Sequence, residues 1–297
     1  MSPVSQGLSS FNLLLENKMN RNNSGMGMSG SEPIFDSDVW AVVGNNCYDY
    51  AFGDNRPKAG GFFNKKNNMV RNNKGGWVKK QARNEKSTPG RAAGISSNGL
   101  NFTTCKGLSE RILKDNPKDV YKCSNPNAVC RRGFYKVMAY VAPENEFGNS
   151  GGDFHFYKQV GAVRYKIAAG DTVAELARTF HVTPAKIRTA ANKLNRPRNA
   201  TNGMVNNKSN GNAHTQLKNN GQNSSRNSSI LVPGKIITFP INLWAHKLGW
   251  GTRPLMVDAS GKTITDPRTA DRKYGYNYKT LCGVYCVRAG HAKTGNS

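Results

Sequence analysis

The chain has 297 residues, and its 43 lysines and arginines outnumber its 18 aspartates and glutamates, giving a formal charge of +25. Hydrophobic residues make up only 37% of the chain, which is too little for a globule packed from end to end. No apolar run of about 18 residues is present, so no transmembrane helix is predicted. The first residues lack the basic and apolar regions of a signal peptide, so a standard secretory route is not expected.

The first 38 residues are rich in Ser, Asn, Gly and Met, and we expect an extended N-terminal arm over 1–38. The first part of an α+β core follows over 39–162. Within it, Leu108, Ile112 and Leu113 lie at helical spacing. Residues 133–142 and 153–159 have the composition of strands joined as a hairpin.

The core is interrupted by a basic loop over 56–91, which contains eleven lysines and arginines but only one acidic residue, Glu85. Such a segment is either a solvated loop or an arm that orders only against a negatively charged partner. The residues predicted to bind a polyanion or partner are Lys65, Lys66, Arg71, Lys74, Lys79, Lys80 and Arg83.

The chain has six cysteines, and they allow fifteen disulfide connectivities. The candidates for local bridges are the close pairs Cys123 with Cys130 and Cys282 with Cys286. Neither pair has the spacing of a zinc site, so no metal and no cofactor is expected. Disulfides without a signal peptide conflict with the reducing cytosol, unless the cysteines are free or an oxidising pathway is supplied.

A change of pattern over 163–240 predicts strand, helix, helix and strand in that order. A capping box opens the first helix at Thr172, and Pro184 opens the second. The stretch over 195–229 is of low complexity and should form a surface insertion. The final part, 241–297, returns to the core and ends in a C-terminal tail.

This order and its motifs, among them Gly170-Asp171-Thr172 and Val232-Pro233-Gly234-Lys235, resemble the LysM module, a small βααβ fold. The resemblance implies binding of a chitin or peptidoglycan-type glycan. The residues that it places at the glycan groove are Gly170, Asp171, Thr172 and Val173. The insertion lies where the family has the loop on the other side of that groove. A LysM fold kept as a structural or docking unit is therefore an equal alternative.

A cysteine nucleophile needs a histidine base and an orienting group. Cys47, preceded by two asparagines, fits a helix start, where the helix dipole lowers a thiol pKa. His155 on a later strand is the candidate base, with His246 or Asp258 as orienter. This chain order resembles that of papain-like hydrolases. The non-catalytic alternative is a disulfide between Cys47 and Cys105, with His155 as an ordinary strand residue.

Several motifs together resemble a family of large double-stranded DNA viruses that has simpler bacterial relatives. They are NNCYDYA (45–51), DFHFY (153–157), WAHKLGW (244–250) and CGVYC (282–286). The resemblance spans about 45–290, with the LysM-like module inserted, and implies a virion location after assembly in the host cytoplasm. It also implies a virus-supplied thiol oxidase, which would permit disulfides.

The sequence therefore predicts a small papain-like α+β core, an inserted LysM-like module and long irregular arms. The function expected first is that of a minor capsid protein on the inner face of the major capsid shell, with major and minor capsid proteins as partners. A cell-wall hydrolase and a non-specific nucleic-acid packaging protein are the alternatives. An anionic membrane surface is a further polyanionic partner for so basic a chain.

Overall fold

The structure, a computed structural model, describes residues 26–39, 45–54, 69–71, 77–79, 87–95, 103–142, 152–195, 230–249 and 252–295. These parts form a mixed α and β protein, so the predicted α+β class is confirmed at that level. The strands are β1 (Ile34–Phe35), β2 (Met69–Arg71), β3 (Trp77–Lys79), β4 (Val120–Lys122), β5 (Phe134–Ala142), β6 (Asp153–Lys166), β7 (Ile236–His246) and β8 (Thr280–Arg288). The helices are α1 (Cys47–Phe52), α2 (Cys105–Asp115), α3 (Val173–Thr179) and α4 (Pro184–Asn195).

The long strand β6 organises a six-stranded mixed sheet. Its first half pairs antiparallel with β5, from Asp153 opposite Ala142 to Lys158 opposite Val137, which confirms the predicted strand pair. Its other edge pairs with β7 from Tyr157 to Lys166. The sheet continues from β5 through β8 to β4 by antiparallel pairs.

Both faces of this sheet are covered. Every residue of β5 is buried, as expected for a strand that is packed on both sides. On one face, Tyr48 and Phe52 of α1 pack with Leu108 and Ile112 of α2. On the other face, Trp244 packs with residues of the 252–279 segment, among them Ile264 and Tyr278.

The described end of the predicted N-terminal arm lies on the core. Its strand β1 pairs parallel with Ala162 and Val163 of β6. Met26 and Phe35 are buried, and the Met26 carbonyl accepts a hydrogen bond of 2.8 Å from the Gln159 amide. Residues 26–35 therefore belong to the folded body through backbone pairing and buried apolar side chains.

The basic loop over 56–91 contains two short strands in its described part. β2 and β3 pair antiparallel as a two-stranded sheet of their own, with Val70 opposite Val78. β-Branched and aromatic residues such as Val70 and Trp77 favour this conformation. At the end of the loop, the Asp115 carboxylate accepts hydrogen bonds from the Gly90 and Ala93 amides at 2.7 and 2.8 Å.

The strand, helix, helix, strand order predicted for 163–240 is present. The two strands are not separate from the core, because they are the far ends of β6 and β7, paired from Tyr165 opposite Ile237 to Lys166 opposite Ile236. Helices α3 and α4 pack on this end through Leu176, Ile187 and other buried residues. The insertion predicted over 195–229 lies outside the described residues, except for Asn195.

Two long-range disulfides close the core, so the predicted local pairs are wrong. Cys105 at the start of α2 is bonded to Cys282 on β8, across 177 residues of sequence. Cys130 is bonded to Cys286, also on β8, across 156 residues. Cys47 and Cys123 are free, so the alternative of a Cys47–Cys105 disulfide is also wrong. Tertiary packing brings together cysteines that sequence distance separates.

No helix in the described part of the chain combines the length and the apolar character needed to cross a membrane.

Candidate functional site

Helix α1 begins at Cys47, as its flanking asparagines predicted. The Asn46 side chain accepts hydrogen bonds from the amides of Tyr48 and Asp49, and the Asp49 carboxylate binds the Asn46 amide in return. This reciprocal arrangement is a capping box, which fixes where the helix starts. Gly53 ends the helix in the left-handed conformation, with φ of 71°.

The Cys47 thiol is buried. Its Sγ donates a hydrogen bond to the Phe154 carbonyl on β6, with a sulfur to oxygen distance of 3.8 Å. Burial raises the pKa of Cys47 well above its ordinary value, and the carboxylates of Asp153 and Asp49 raise this pKa further. These effects outweigh any help from the helix start, because desolvation of a thiolate is costly. In this arrangement Cys47 is not an activated nucleophile.

The two histidines predicted for the site lie together on paired strands. His155 on β6 and His246 on β7 are joined by a hydrogen bond of 2.9 Å between Nε2 of His155 and Nδ1 of His246. Both side chains are buried. Burial lowers the pKa of His155 well below its usual value, with a further contribution from His246, and burial lowers the pKa of His246 to about 4.

The surroundings of His246 fix the direction of this hydrogen bond. Nε2 of His246 lies 3.0 Å from the Val257 carbonyl, which can only accept, so this nitrogen carries the proton. Nδ1 of His246 then accepts from Nε2–H of His155, which leaves Nδ1 as the basic nitrogen of the neutral His155 ring. The Tyr274 hydroxyl lies 3.2 Å from Nε2 of His246 and donates to the Val257 carbonyl. His246 thus fixes the orientation and the tautomer of the His155 ring.

Aromatic rings enclose the pair, and we call His155, His246, Tyr157, Tyr274 and Tyr278 the histidine cluster. The ring centres of Tyr278 and Tyr157 lie 4.9 and 5.1 Å from that of His155. The Tyr278 hydroxyl donates to the Asp153 carboxylate at 2.7 Å. Sequence analysis missed Tyr274 and Tyr278, although the Tyr-x-Tyr-x-Tyr alternation over 274–278 was a visible signal.

Cys47 and His155 are not hydrogen-bonded to each other, and Cys47 belongs to the helix that packs on one face of β6. Phe156 packs its ring 5.2 Å from that of Tyr48 on α1, so this face of β6 is the one that α1 covers. His155 and Tyr157 alternate with Phe156 and therefore face the opposite side of the sheet, as their ring contact confirms. No hydrogen bond between Cys47 and His155 is present among the described residues. The third candidate, Asp258, caps its own loop by accepting from the Ser260, Lys262 and Asp271 amides.

The residues predicted to bind glycan build the turn before α3. Gly170 has φ of 90°, a conformation that only glycine adopts readily. Asp171 accepts hydrogen bonds from the Tyr165 hydroxyl at 2.9 Å and the Ala168 amide at 2.7 Å. Thr172 caps α3 by accepting from the Glu175 amide at 3.2 Å. Gly170 and Thr172 are exposed and Asp171 and Val173 are half-buried, so the turn lies at the surface, although Asp171 and Thr172 use polar atoms for hydrogen bonds within the module.

A cleft of about 820 Å³ lies between the N-terminal segment, the helical module and the 253–257 loop. Tyr165 and Phe180 form part of its wall, and ion pairs between Arg164 and Asp36 and between Arg253 and Asp38 lie along it. Neither the predicted glycan residues nor the histidine cluster line this cleft. It adjoins both, because Tyr165 and Val257 line it while the Tyr165 hydroxyl donates to Asp171 and the Val257 carbonyl accepts from His246.

Most of the predicted polyanion-binding residues lie outside the described part of the chain. Arg71 and Lys79 are placed at the ends of β2 and β3, where only the backbone is described. Two of the predicted basic residues, Arg71 and Lys79, therefore belong to paired strands. The other predicted residues, Lys65, Lys66, Lys74, Lys80 and Arg83, remain a sequence-based expectation.

One group of side chains has the composition of a metal site. The sulfurs of Cys123, Cys130 and Cys286 lie within 4.8 Å of one another. Two of them share a disulfide, so in this state only the Cys123 thiol is available as a ligand. One thiolate does not make a zinc site.

Comparisons of the chain with protein-family models, with curated proteins and with solved structures found no match.

Proposed function

We propose that the protein is a structural virion component, a minor capsid protein that binds the inner face of a major capsid shell. Its core would act as a rigid body, and its basic segment would contact acidic surfaces of neighbouring proteins. This proposal keeps the expectation that the viral motifs raised. It also includes the finer fold assignment, in which the core is papain-like and the helical module is LysM-like.

The observation that carries the proposal is the pair of disulfides that fasten α2 and the Cys130 loop to β8. Cross-links of this span restrict the unfolded chain and stabilise a domain by about 2 to 5 kcal/mol each. They suit a particle component that must persist in an oxidising environment. The burial and the raised pKa of Cys47 add support, because a structural protein needs no thiolate there.

The test is to look for the protein in purified particles. Particles washed in high salt, treated with nuclease and analysed by cross-linking mass spectrometry should retain the chain, with cross-links to major or minor capsid proteins. Loss of the chain in the wash would contradict the proposal. Recovery with cross-links only to enzymes or to lipid-associated proteins would contradict the assignment to the capsid shell.

The basic loop over 56–91 contains β2 and β3, and we call it the basic hairpin region. It allows a sharper version of this test. A variant with Lys65, Lys66, Lys79 and Lys80 changed to Gln should enter particles less efficiently than wild type. The matched control changes the four exposed lysines Lys106, Lys114, Lys118 and Lys193 to Gln, which removes the same charge elsewhere. Equal incorporation of the two variants would mean that total charge, and not the hairpin region, governs assembly.

The nucleic-acid packaging alternative predicts a different result. Binding to duplex DNA through phosphate contacts should weaken steeply with salt and ignore base sequence. Vesicles containing phosphatidylserine test the anionic membrane surface under the same conditions. Strong DNA binding by wild type and by the Lys106, Lys114, Lys118 and Lys193 variant, but not by the hairpin variant, would favour packaging over capsid binding.

A second candidate function is a cysteine hydrolase, and the hydrogen bond between His155 and His246 favours it. That bond gives His155 the tautomer a general base needs. Catalysis would require the Cys47 thiol to release the Phe154 carbonyl and approach Nδ1 of His155. Release of fragments from peptidoglycan or chitin by wild type, and its loss in Cys47→Ala and His155→Gln, would support this function, whereas retained activity in Cys47→Ala would exclude that nucleophile.

Glycan binding by the LysM-like module can be tested apart from catalysis. Pull-down on insoluble chitin or peptidoglycan should retain wild type if the turn at Gly170–Val173 forms a groove. Asp171→Asn changes the turn, whereas the control Asp266→Asn alters an acidic residue of a different loop that pairs with Arg268. Equal retention of wild type and Asp171→Asn would mean that the module serves docking or structure instead.

A further inference from the structure

A free thiol lies against one of the two disulfides. The Sγ atoms of Cys123 and Cys286 are 2.8 Å apart, and that of Cys123 is 4.0 Å from the Sγ of Cys130. Cys286 is bonded to Cys130, so a third sulfur stands beside an existing S–S bond. This arrangement places an attacking thiol next to the sulfur that it would attack.

Strand pairing places Cys123 beside Cys286, and the disulfide holds Cys130 at the same position. On β4, Tyr121 lies opposite Cys286 of β8, and the Cys123 amide extends the same ladder by donating to the Val284 carbonyl at 2.8 Å. Cys123 is therefore two residues along from the position opposite Cys286. Diagonal neighbours of this kind lie on one face of the sheet.

Lys136 lies next to this group of cysteines. Lys136 of β5 is directly opposite Cys286 in the β5–β8 pair, and its Nζ donates to the Pro126 carbonyl at 3.2 Å, within the loop between Cys123 and Cys130. Burial raises the pKa of the half-buried Cys123 thiol, while the Lys136 ammonium acts in the opposite direction. A cation here stabilises a thiolate on whichever sulfur carries the charge.

We propose that Cys123, Cys130 and Cys286 form an intramolecular thiol–disulfide exchange site in which Cys286 pairs alternately with Cys130 and Cys123. The Cys123 thiolate attacks Sγ of Cys286, the bond between Cys123 and Cys286 forms, and the bond between Cys286 and Cys130 breaks. Cys130 leaves as a thiolate and takes up the proton that Cys123 released. The number of disulfides is unchanged, so no external oxidant or reductant is needed.

The exchange would change what the disulfide holds. In the state described, it ties the end of the 124–130 loop to β8. In the other state it would tie the end of β4 to β8 and leave that loop uncross-linked. The N-terminal segment rests on this region, because Gly27 packs so closely on Val129 that a β-carbon at Gly27 would lie 2.6 Å from its side chain. The site would therefore control how firmly residues 26–32 are held.

The test is differential alkylation of the full chain. Wild-type protein is equilibrated at pH 8 without reductant, denatured in acid with N-ethylmaleimide, then reduced and treated with iodoacetamide. Trypsin leaves Cys123 and Cys130 in one peptide, residues 123–131, so fragment-ion spectra must assign the maleimide to one cysteine or the other. We expect maleimide on both Cys123 and Cys130 in different molecules, with Cys47 labelled in all of them as the internal reference. Label on Cys123 alone after equilibration would overturn the proposal.

A matched pair of variants makes the test independent of the wild-type equilibrium. Cys130→Ser, incubated with oxidised glutathione as the two-electron oxidant, should form the Cys123–Cys286 bond and leave one free thiol, Cys47. If no exchange partner exists, the same variant has three free thiols, Cys47, Cys123 and Cys286, and the proposal fails. Cys123→Ser should keep the Cys130–Cys286 bond and show no maleimide at Cys130. Circular dichroism and thermal unfolding of both variants show whether each has folded; should Cys130→Ser not fold, the wild-type labelling alone decides.

Discussion

Nε2 of His155 donates a hydrogen bond of 2.9 Å to Nδ1 of His246, and the two rings belong to neighbouring strands of one sheet. His246 must be neutral for this bond to form as described, because a protonated His246 would present a donor to a donor. The pair therefore couples the protonation of two buried side chains to the packing of β6 against β7.

The first prediction concerns acid stability. In the folded protein the pKa of His246 is about 4, below the value near 6.5 expected for the unfolded chain. Above pH 6.5 the stabilising effect of the neutral pair is fully present. Between pH 6.5 and 4 the unfolded chain binds protons that the folded protein does not. The free energy of unfolding should therefore fall as the pH falls through this window, by roughly 2 to 3 kcal/mol.

Urea unfolding at pH 7, 6, 5 and 4.5 measures this effect. His246→Gln keeps a polar side chain that does not titrate, so its free energy of unfolding should change less over the same window. The control is His291→Gln, because His291 is exposed on the C-terminal segment. Parallel pH curves for wild type and His246→Gln would contradict the prediction.

The second prediction concerns a buried lysine. Lys158 on β6 is buried, and its Nζ donates to the Tyr50 carbonyl at 2.9 Å and lies 3.7 Å from the centre of the Tyr50 ring. Burial lowers its pKa to about 7. From pH 7 to about 10.5 the unfolded chain holds a proton that the folded protein has lost, so stability should rise with pH.

Replacing Lys158 with Met removes this titrating group and retains the apolar volume. Between pH 7 and pH 9, wild type should gain about 2 kcal/mol more in free energy of unfolding than Lys158→Met does. Lys186→Met, at an exposed position of α4, serves as the control and should follow wild type. A Lys158→Met curve as steep as that of wild type would show that Lys158 remains charged when buried.

The third prediction concerns how the end of the basic loop is fastened. The Asp115 carboxylate accepts hydrogen bonds from the Tyr48 hydroxyl at 2.8 Å and from the amides of Gly90 and Ala93. Asp115→Asn turns one acceptor into an NH₂ group that faces a donor. We expect it to lower the free energy of unfolding by roughly 1 to 3 kcal/mol.

Tyr48→Phe is the matched comparison, because it removes only one of the three donors. It should cost less than Asp115→Asn in chemical denaturation. Limited proteolysis after Arg91 should also be faster in Asp115→Asn than in Tyr48→Phe, since only the former weakens the contacts of Gly90 and Ala93. Equal proteolysis rates would mean that other contacts hold this segment.

The fourth prediction concerns the disulfide between Cys105 and Cys282. Replacing both cysteines with Ala should lower the free energy of unfolding by about 2 to 5 kcal/mol, because the unfolded chain regains the freedom that the cross-link removes. Denaturation without reductant measures the difference. The control is Cys47→Ala, which alters an unbonded buried cysteine. A double variant no less stable than Cys47→Ala would contradict this role.

Much of the local structure was predictable from short sequence signals. Asn45 and Asn46 before Cys47 indicated a helix start, and Thr172 with Glu175 indicated the start of α3. Each signal acts within a few residues, through a side chain that satisfies a free backbone amide. The alternation that placed His155 and Tyr157 on one face is local in the same sense.

The arrangement of the candidate site was only partly predictable. Sequence analysis identified His155 and His246, and the pairing of β6 with β7 brings them together. It placed Cys47 with them as well, but α1 packs on the opposite face of β6, against Phe156. Which face a helix covers depends on the summed burial of apolar side chains from distant segments, and no short motif specifies that sum.

The sequence by itself determined the strong positive charge, the composition of the α+β core and the positions where α1 and α3 begin. Only the tertiary structure decided that Cys105 bonds to Cys282, that Cys130 bonds to Cys286, and that Cys123 lies beside the second bond. The physical reason is the distance along the chain over which each interaction acts. Capping and alternation are set by neighbours in sequence, whereas the disulfide partners are set by the packing of α2 and the Cys130 loop against β8, across more than 150 residues.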